Sequence, residues 1–212
     1  MKNISKVAVL GGGGRTGKFL VNQLLEKGFS VQLLLRSPEK FTIQHSKIEI
    51  IKGDAIDEEV VHLLVKDCDA VVNCIGQRPG EPMVASRATK NVLNAMSNFG
   101  LERYILLAGL NIDTPSDKKS HKTIMATDWM KTNFPEIQKD RQLTYDILVE
   151  SNINWTQVRV PLIVFSDDTF QVSVDLEDCL GEKITAADIS KFIIKEMTES
   201  KFSRQSPFIS TI

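Results

Sequence analysis

Hydrophobic residues along the chain form short, nearly uninterrupted runs that alternate with amphipathic stretches. The runs cover residues 6–10, 31–35, 48–51, 70–75, 104–108 and 154–160. Helical periodicity is found at residues 16–27, 58–66, 83–99, 139–151 and 187–199. Strands that are apolar on both faces are typical of a parallel sheet covered by helices on both sides. The pattern therefore predicts an α/β fold with a doubly wound, mostly parallel sheet and helices on both faces.

Two segments do not follow this alternation. Residues 111–135 are polar, contain two prolines and show no clear helical period outside 124–130, so we expect a loop with a short helix over the carboxyl edge of the sheet. This segment is either a functional lid or an irregular connection. Residues 166–180 are acidic but lack the twelve-residue ligand pattern of a calcium loop. A solvated hairpin or loop is expected there.

The length of 212 residues suits one α/β unit, so we predict a single domain over residues 1–212, with about 161–212 forming a small substrate-side portion. The formal net charge of -1 provides no long-range field for polyanions, which disfavours nucleic acid as a partner. No apolar stretch approaches the roughly 18 residues of a membrane span, and the first residues do not form an export signal. A soluble, cytoplasmic protein without membrane contact is expected.

The cysteines and histidines are scattered along the chain. They are Cys68, Cys74, Cys179, His45, His62 and His121. The cysteines lack the paired spacing of a zinc or redox motif, so buried, reduced thiols are expected. The histidines form no recognisable ligand set, and the sequence predicts no metal site.

The strongest local motif is a glycine-rich stretch between the first apolar run and the first helical pattern. Gly11 permits a sharp turn, Gly14 lets the backbone approach a pyrophosphate, and Gly17 allows close packing of helix on strand. The helix N-terminus offers free N–H groups and a partial positive charge to phosphates. With Arg15 and Thr16, this stretch predicts a dinucleotide site on a Rossmann-like sheet. The alternative is a glycine turn that has lost its ligand.

The residue after the second apolar run bears on the choice of dinucleotide. An NAD site normally has an acidic residue there, which accepts hydrogen bonds from the ribose 2′-hydroxyl. This chain has Arg36 at that point, and Arg15 is a second cation nearby in the motif. Together they suit a 2′-phosphate, which predicts NADP(H) in preference to NAD(H). The alternative is that both arginines are solvated surface side chains.

Further candidate binding residues follow the third and fourth apolar runs. Asp54 is placed to meet the adenine amino group, although a plain turn explains it nearly as well. Gly76, after Ile75, lets the backbone pass close to the second ribose of a dinucleotide. Gln77 and Arg78 are candidates for contact with phosphate or substrate, and an exposed loop explains them equally well.

Taken together, these motifs resemble the atypical short-chain dehydrogenase/reductase superfamily. The likeness is to the branch that contains biliverdin reductase B, also called flavin reductase, and fungal redox-sensing regulators. It is carried by residues 7–17, 35–36, 53–54, 75–78, 91–96, 155–161 and 184–189. The resemblance implies a Rossmann-like fold, a preference for NADPH and hydride transfer to a flavin or a similar planar acceptor.

The sequence also departs from the family pattern. Such enzymes usually carry a Tyr-x-x-x-Lys pair for general acid–base chemistry, but alignment places Ile137 and Arg141 near those positions. The serine that often follows the fifth strand is missing. Asn111, Tyr145 and His121 are possible proton donors, but none is assigned as catalytic.

The sixth run carries two more residues of interest. The resemblance places Arg159 and Pro161 on the nicotinamide side of the cofactor, although Arg159 also suits a buried ion pair and Pro161 a simple strand end. Trp155 and Phe165 are expected in the core.

Three functions therefore remain open at this point. The leading hypothesis is an NADPH-dependent oxidoreductase that passes hydride to a small planar acceptor such as a flavin. The alternative is a non-catalytic NADP(H)-binding redox sensor, suggested by the missing tyrosine, lysine and serine. The third is a small-substrate epimerase or dehydratase, disfavoured because only about fifty residues follow the sixth run. The oligomeric state stays open.

Overall fold

A computed structural model describes residues 4–78, 80–81 and 83–212. The strands are β1 Lys6–Leu10, β2 Ser30–Leu35, β3 Ile48–Lys52, β4 Ala70–Asn73, β5 Arg103–Gly109, β6 Asn154–Val160, β7 Leu162–Val164, β8 Val172–Asp175, β9 Lys183–Thr185 and β10 Phe208–Thr211. The helices are α1 Arg15–Glu26, α2 Glu58–Val65, α3 Val84–Phe99, α4 His121–Asn133, α5 Pro135–Glu150 and α6 Ala186–Glu199. A 3-10 turn covers Pro38–Lys40.

Eight of the strands form one sheet in the order β3-β2-β1-β4-β5-β6-β10-β8. The strands from β3 to β6 are parallel to their neighbours, and β10 continues this direction beside β6. The edge strand β8 runs antiparallel to β10. β7 and β9 form a separate parallel pair. The predicted doubly wound, mostly parallel Rossmann-like sheet is confirmed.

Both faces of the sheet are packed, as the uninterrupted apolar runs predict. Along β1, Val7 and Val9 face a core formed with α1 and α6, whereas Ala8 and Leu10 face a core formed with α2, α3 and α5. All four side chains are fully buried. Because successive residues of a strand point to opposite faces, a strand covered on both sides must be apolar throughout.

The segment expected to be a loop with a short helix is more ordered than predicted. Its helix, α4, starts after Ser120, whose hydroxyl caps it by accepting from the N–H of Thr123. Pro135 starts α5 directly after α4, four residues earlier than expected. The helical period was hard to see because the buried positions of α4 include Thr123 and Thr127, which are polar. The helix predicted at 124–130 is present, and it extends by three residues at each end to His121–Asn133.

The acidic segment 166–180 also departs from the prediction of a solvated hairpin or loop. It contains β8, which pairs from Val172 with Thr211 to Asp175 with Phe208. This strand lies at the sheet edge, and its polar–apolar alternation covers only four residues, too few to stand out in the sequence. The prediction is wrong for these four residues.

Several expectations about single side chains are settled. All three cysteines are buried and free, as predicted. Trp155 is buried, but Phe165 is 40% exposed, so its assignment to the core was wrong. Phe165 follows β7, which lies outside the main sheet, and its ring instead contacts Arg15. Within the described ranges, no helix has the length and apolarity to cross a bilayer.

Candidate cofactor site

The glycine loop connects β1 to α1 and packs against the end of β4. Gly11 has a φ of +76°, and its carbonyl accepts a hydrogen bond from the N–H of Gly14 at 2.9 Å. A Cβ on Gly11 would lie 2.6 Å from the carbonyl carbon of Cys74, and one on Gly17 would lie 2.1 Å from the Gly11 oxygen. Backbone fills the space at both positions, so only glycine fits there.

The N-terminus of α1 is open. Its N-cap is Gly14, and no side chain in the described part of the chain accepts a hydrogen bond from the first turn. That turn also lacks an acidic residue. By contrast, α2, α4 and α6 are capped by Asp57, Ser120 and Thr185. Unpaired N–H groups and the helix dipole at α1 therefore fit a pyrophosphate group.

A cleft of about 470 Å³ lies at the carboxyl ends of β1 to β4, beside this helix end. Its volume is in the range of small-molecule sites, roughly 300 to 1,000 Å³. The predicted site residues in its lining are Gly11, Gly14, Arg36, Ile75, Gly76 and Arg78. The lining residues that were not predicted include Gly13, Ser37, Lys40, Phe41 and Cys74. The structure thus brings together residues from four separate loops.

The other predicted residues do not line this cleft. Thr16 and Gly17 are buried in the first turn of α1. The guanidinium of Arg15 is exposed and lies 4.2 Å from the ring centroid of Phe165. Asp54 stands behind the lining residue Arg78, whose Nη1 donates to Asp54 Oδ2 at 2.8 Å.

Arg78 organises a small charged cluster at the edge of the cleft. Besides Asp54, it contacts Glu81 Oε2 at 3.0 Å. Partial burial raises the pKa of Asp54, but hydrogen bonds from Arg78 and from the Ile56 N–H outweigh this, and the pKa is lowered overall. Asp54 is therefore a carboxylate held by Arg78, and its predicted contact with adenine stays a prediction.

Two cations and a hydroxyl group that follow β2 line the cleft. Arg36 has a side chain that is 54% exposed, with Nη1 at 3.6 Å from Glu81 Oε1. Ser37 and Lys40 line the same wall. Lys40, which the sequence analysis missed, ends the 3-10 turn Pro38–Lys40 and lines the same cleft as Arg36. No acidic residue directly follows β2.

Arg141 of α5 contacts the end of β4. Its Nη2 donates to the carbonyl oxygen of Ile75 at 3.0 Å, and burial lowers its pKa. Arg141 thus holds the end of β4, whose residues Ile75 and Gly76 form one wall of the cleft.

Arg159 forms the buried ion pair that was one of its two expected roles. It is fully buried, with Nη1 at 2.8 Å from Asp117 Oδ1. Burial lowers its pKa, whereas Asp117 raises it. Its guanidinium also lies 3.5 Å from the ring centroid of Phe208. Arg159 is therefore occupied in joining β6 to the loop before α4.

The possible proton donors have other contacts. Asn111 is buried and hydrogen-bonded to Gln138. Tyr145 packs edge-on against Trp155, with ring centroids 6.1 Å apart. His121 is exposed at the start of α4. None of the three is among the residues that line the cleft.

An apolar surface next to the glycine loop was also missed by the sequence analysis. Leu162, Val164 and Phe165 are exposed at 72%, 38% and 40%. The contact of Phe165 with Arg15 places this surface beside the first turn of α1. The run of apolar residues directly after Pro161 is the sequence feature that could have indicated this surface.

A comparison with protein families identifies the chain. The model of a family described as NAD(P)H-binding matches residues 11–200, starting at the first glycine of the loop. The chain belongs to this NAD(P)H-binding family. The match covers most of the chain and confirms the resemblance to atypical short-chain dehydrogenases/reductases. Relatives of the chain include reductases, so the family is one of oxidoreductase-like proteins.

Individual relatives of this family agree with that assignment. An uncharacterized chloroplastic protein of Arabidopsis thaliana is 26% identical over 215 residues, covering 96% of this chain and 74% of the relative. Cinnamoyl-CoA reductase 1 of Petunia hybrida is 25% identical over 176 residues, covering 76% of this chain and 53% of the enzyme. This chain thus spans about half of that reductase.

A solved structure shows the same fold. It is a short-chain dehydrogenase/reductase from Veillonella parvula in complex with NADP, with a TM-score of 0.82 and 16% sequence identity. The alignment covers 98% of this chain and 95% of that one. At this identity the likeness concerns the fold alone.

Proposed function

We propose that the protein is an NADPH-dependent oxidoreductase that passes hydride to a flavin or a similar planar small molecule. The observation that carries this proposal is the cleft beside the open N-terminus of α1, with Arg36 and Lys40 at its adenosine end. A neutral or acidic wall would suit NAD(H), whereas two cations suit the additional phosphate of NADP(H).

The two cations supply different parts of a phosphate site. Arg36 offers a planar fork that pairs two oxygens, and Lys40 offers a point charge. Glu81 competes for Arg36 only weakly, because the distance is 3.6 Å and Glu81 is already held by Arg78 at 3.0 Å. Ser37, between them in the lining, adds a hydroxyl donor. Binding of a 2′-phosphate would therefore replace the long, exposed contact between Arg36 and Glu81 with a shorter contact between Arg36 and the phosphate.

The chain's residues then orient the two reactants. NADPH, when bound, supplies the hydride. The N–H groups at the start of α1 bind phosphate, and Arg141 fixes the wall formed by Ile75. The exposed apolar surface of Leu162, Val164 and Phe165 suits an acceptor with a flat apolar ring. Hydride transfer to a flavin needs mainly this stacking, because water can supply the accompanying proton.

The cofactor preference is tested by fluorescence titration with NADPH and NADH. Arg36→Ala and Lys40→Ala should each weaken NADPH binding about tenfold, as expected for loss of a charge-assisted contact of roughly 1.4 kcal/mol. The affinity for NADH should not change. Lys27→Ala, at the far end of α1, is the matched control. A wild-type protein that binds NADH as tightly as NADPH would reject the phosphate site.

The activity is tested by following the near-ultraviolet absorbance of NADPH with FMN, riboflavin or a linear tetrapyrrole as acceptor. Saturable turnover of an acceptor would support the reductase. A higher KM for that acceptor in Phe165→Ser would support the acceptor surface. Tight NADPH binding without turnover of any acceptor would overturn the reductase and favour the redox sensor.

A further inference from the structure

A second cleft, of about 440 Å³, lies at the far edge of the sheet. Its walls are α6, the edge strand β8 and the residues just before β8. α6 packs beside α1 on this face, whereas β8 lies two strands beyond β6. The α6-facing side of β8 is therefore incompletely covered, and Val174 remains 37% exposed. Among the described residues, the two clefts share no lining residue.

Part of the lining of this second cleft is aromatic or aliphatic. It contains Phe170, Phe192 and Phe202 together with Val172 and Val174. Phe170 is 55% exposed, and the rings of Phe192 and Phe202 have centroids 6.1 Å apart. Covering such rings removes apolar area from water, at about 25 cal/mol per Å². The cleft thus favours a ligand with an apolar body.

The rim of the second cleft carries three lysines, Lys191, Lys195 and Lys201. Lys195 Nζ lies 3.9 Å from Glu199 Oε2, and both side chains are largely exposed. Lys201 Nζ lies 5.4 Å from the ring centroid of Phe202. Among described residues, neither Lys191 nor Lys201 lies within ion-pair distance of a carboxylate. The rim therefore keeps two positive charges free for a ligand.

The two buried carboxylates in the lining are already hydrogen-bonded. Asp188 Oδ2 accepts from the N–H of Phe170 at 3.0 Å, which fixes that wall. Glu196 Oε1 accepts from Arg103 Nη2 and from the N–H of Phe202, both at 2.9 Å. Because Arg103 balances the charge of Glu196, that carboxylate does not cancel the lysines at the rim. The exposed rim thus carries Lys191, Lys195 and Lys201 against Glu199, an excess of positive charge.

We propose that this second cleft binds a small amphipathic anion, namely a carboxylate with an aliphatic or aromatic body. Its volume of about 440 Å³ is that of a small-molecule site and favours a compact ligand. The carboxylate lies at one of the two free rim lysines, Lys191 or Lys201, and the apolar body covers Phe170 and Val174. This proposal does not depend on the activity at the first cleft.

The test is calorimetric titration of the full chain with octanoate and, separately, with 1-octanol. Octanoate should bind saturably, with one equivalent per chain. The double variant Lys191→Gln/Lys201→Gln should weaken octanoate binding by up to about fivefold, because the carboxylate loses its partly exposed charge contact whichever lysine it uses. It should leave 1-octanol binding and NADPH binding unchanged. Lys27→Gln/Lys90→Gln, at exposed lysines outside the cleft, is the matched control and should bind octanoate normally.

A second variant tests the apolar part. Phe170→Ser changes an exposed side chain, so it should fold with an unchanged melting temperature but lose affinity for both octanoate and 1-octanol. The proposal is overturned if octanoate shows no saturable binding, or if neither variant alters it. It is also overturned if sedimentation shows self-association that Phe170→Ser abolishes, because the cleft would then bind a second copy of the chain.

Discussion

Two helices, α1 and α3, begin at the same edge of the sheet, but their N-termini are satisfied in different ways. In α3, the N–H groups of Ala85 and Ser86 donate to the carboxylate of Asp140 at 2.8 and 3.0 Å. Asp140 belongs to α5 and is fully buried. In α1, the N-cap is Gly14, and the described chain supplies no side chain to the first turn.

This difference shows that the protein itself caps one helix end for stability and leaves the other uncapped for a ligand. Both helix ends offer N–H groups and a partial positive charge, and both follow a parallel strand. Asp140 closes the end of α3 with a carboxylate from the protein itself. The end of α1 remains available for an anionic ligand, which agrees with the NAD(P)H-binding family to which the chain belongs.

The largest expected effect comes from removing the carboxylate at α3. Asp140→Ala leaves two buried N–H groups without an acceptor and should lower the free energy of unfolding by about 3 kcal/mol. Urea denaturation measures this. Asp140→Asn, which keeps one oxygen acceptor, should cost less. Asp146→Ala, at an exposed position on α5, should cost under about 0.5 kcal/mol. Equal losses for Asp140→Ala and Asp146→Ala would contradict the capping role.

The reverse change closes the open end of α1. Gly14→Asp places a carboxylate at an N-cap with ordinary backbone angles, φ −75° and ψ 172°. It should weaken NADPH binding by tenfold or more, because the carboxylate takes the N–H groups and repels phosphate. Gly14→Ala separates this effect from crowding, since a Cβ there lies 3.1 Å from the Gly11 oxygen. If both variants bind NADPH like the wild type, phosphate does not bind at this helix end.

A smaller effect distinguishes the two ends of β4. Burial raises the pKa of Cys74, after the strand, and of Cys68, before it, to about 12 in each case. Both thiols are therefore protonated at pH 7 to 9, and their alkylation rates should be low and rise roughly tenfold per pH unit. Saturating NADPH should slow the alkylation of Cys74, which lines the first cleft, but not that of Cys68. Peptide mass spectrometry after timed alkylation measures both rates, and equal protection would indicate global stabilisation instead.

The smallest expected effect concerns the carboxylate behind the cleft. The pKa of Asp54 is lowered from 3.8, so its stabilising interaction is fully present above that pH and is lost as the pH falls through the folded-state value. Asp54→Asn should therefore reduce stability at pH 7 by less than about 1 kcal/mol, since the group is partly exposed. Melting temperatures of the wild type and the variant should converge at a pH well below 3.8, where the carboxyl group is protonated in both states of the wild type. A constant difference down to that pH would show that charge is not the cause.

The sequence was sufficient to predict the central part of the fold, because β1, β2, β4 and β5 are mostly apolar and buried on both faces. It was insufficient for β7 to β10, which have three or four residues each and no extended period. The full length of α4 was also missed, since its buried positions include Thr123 and Thr127. Local hydrophobic pattern is thus a weak guide where an element is short or buries polar side chains.

The candidate site was predictable where its residues are close in sequence. The glycine loop is a local motif, and Arg36 follows directly from the end of β2. The hydrogen bond from Ala85 to Asp140 spans 55 positions, and the pairing of Arg159 with Asp117 spans 42. Neither can be deduced from spacing. Phe165 was misassigned because large aromatic residues are usually buried, whereas this one follows a strand outside the main sheet.

The strand order also bears on when the parts of the molecule can form during synthesis. β10 lies between β6 and β8, although it is the last strand in the chain. β8 therefore leaves the ribosome before the strand that it pairs with and must wait for residues 208–211. The strands from β1 to β6 have no such delay, because each pairs with strands already made or soon to follow. Vectorial folding should thus assemble the nucleotide half first and the β8 edge last.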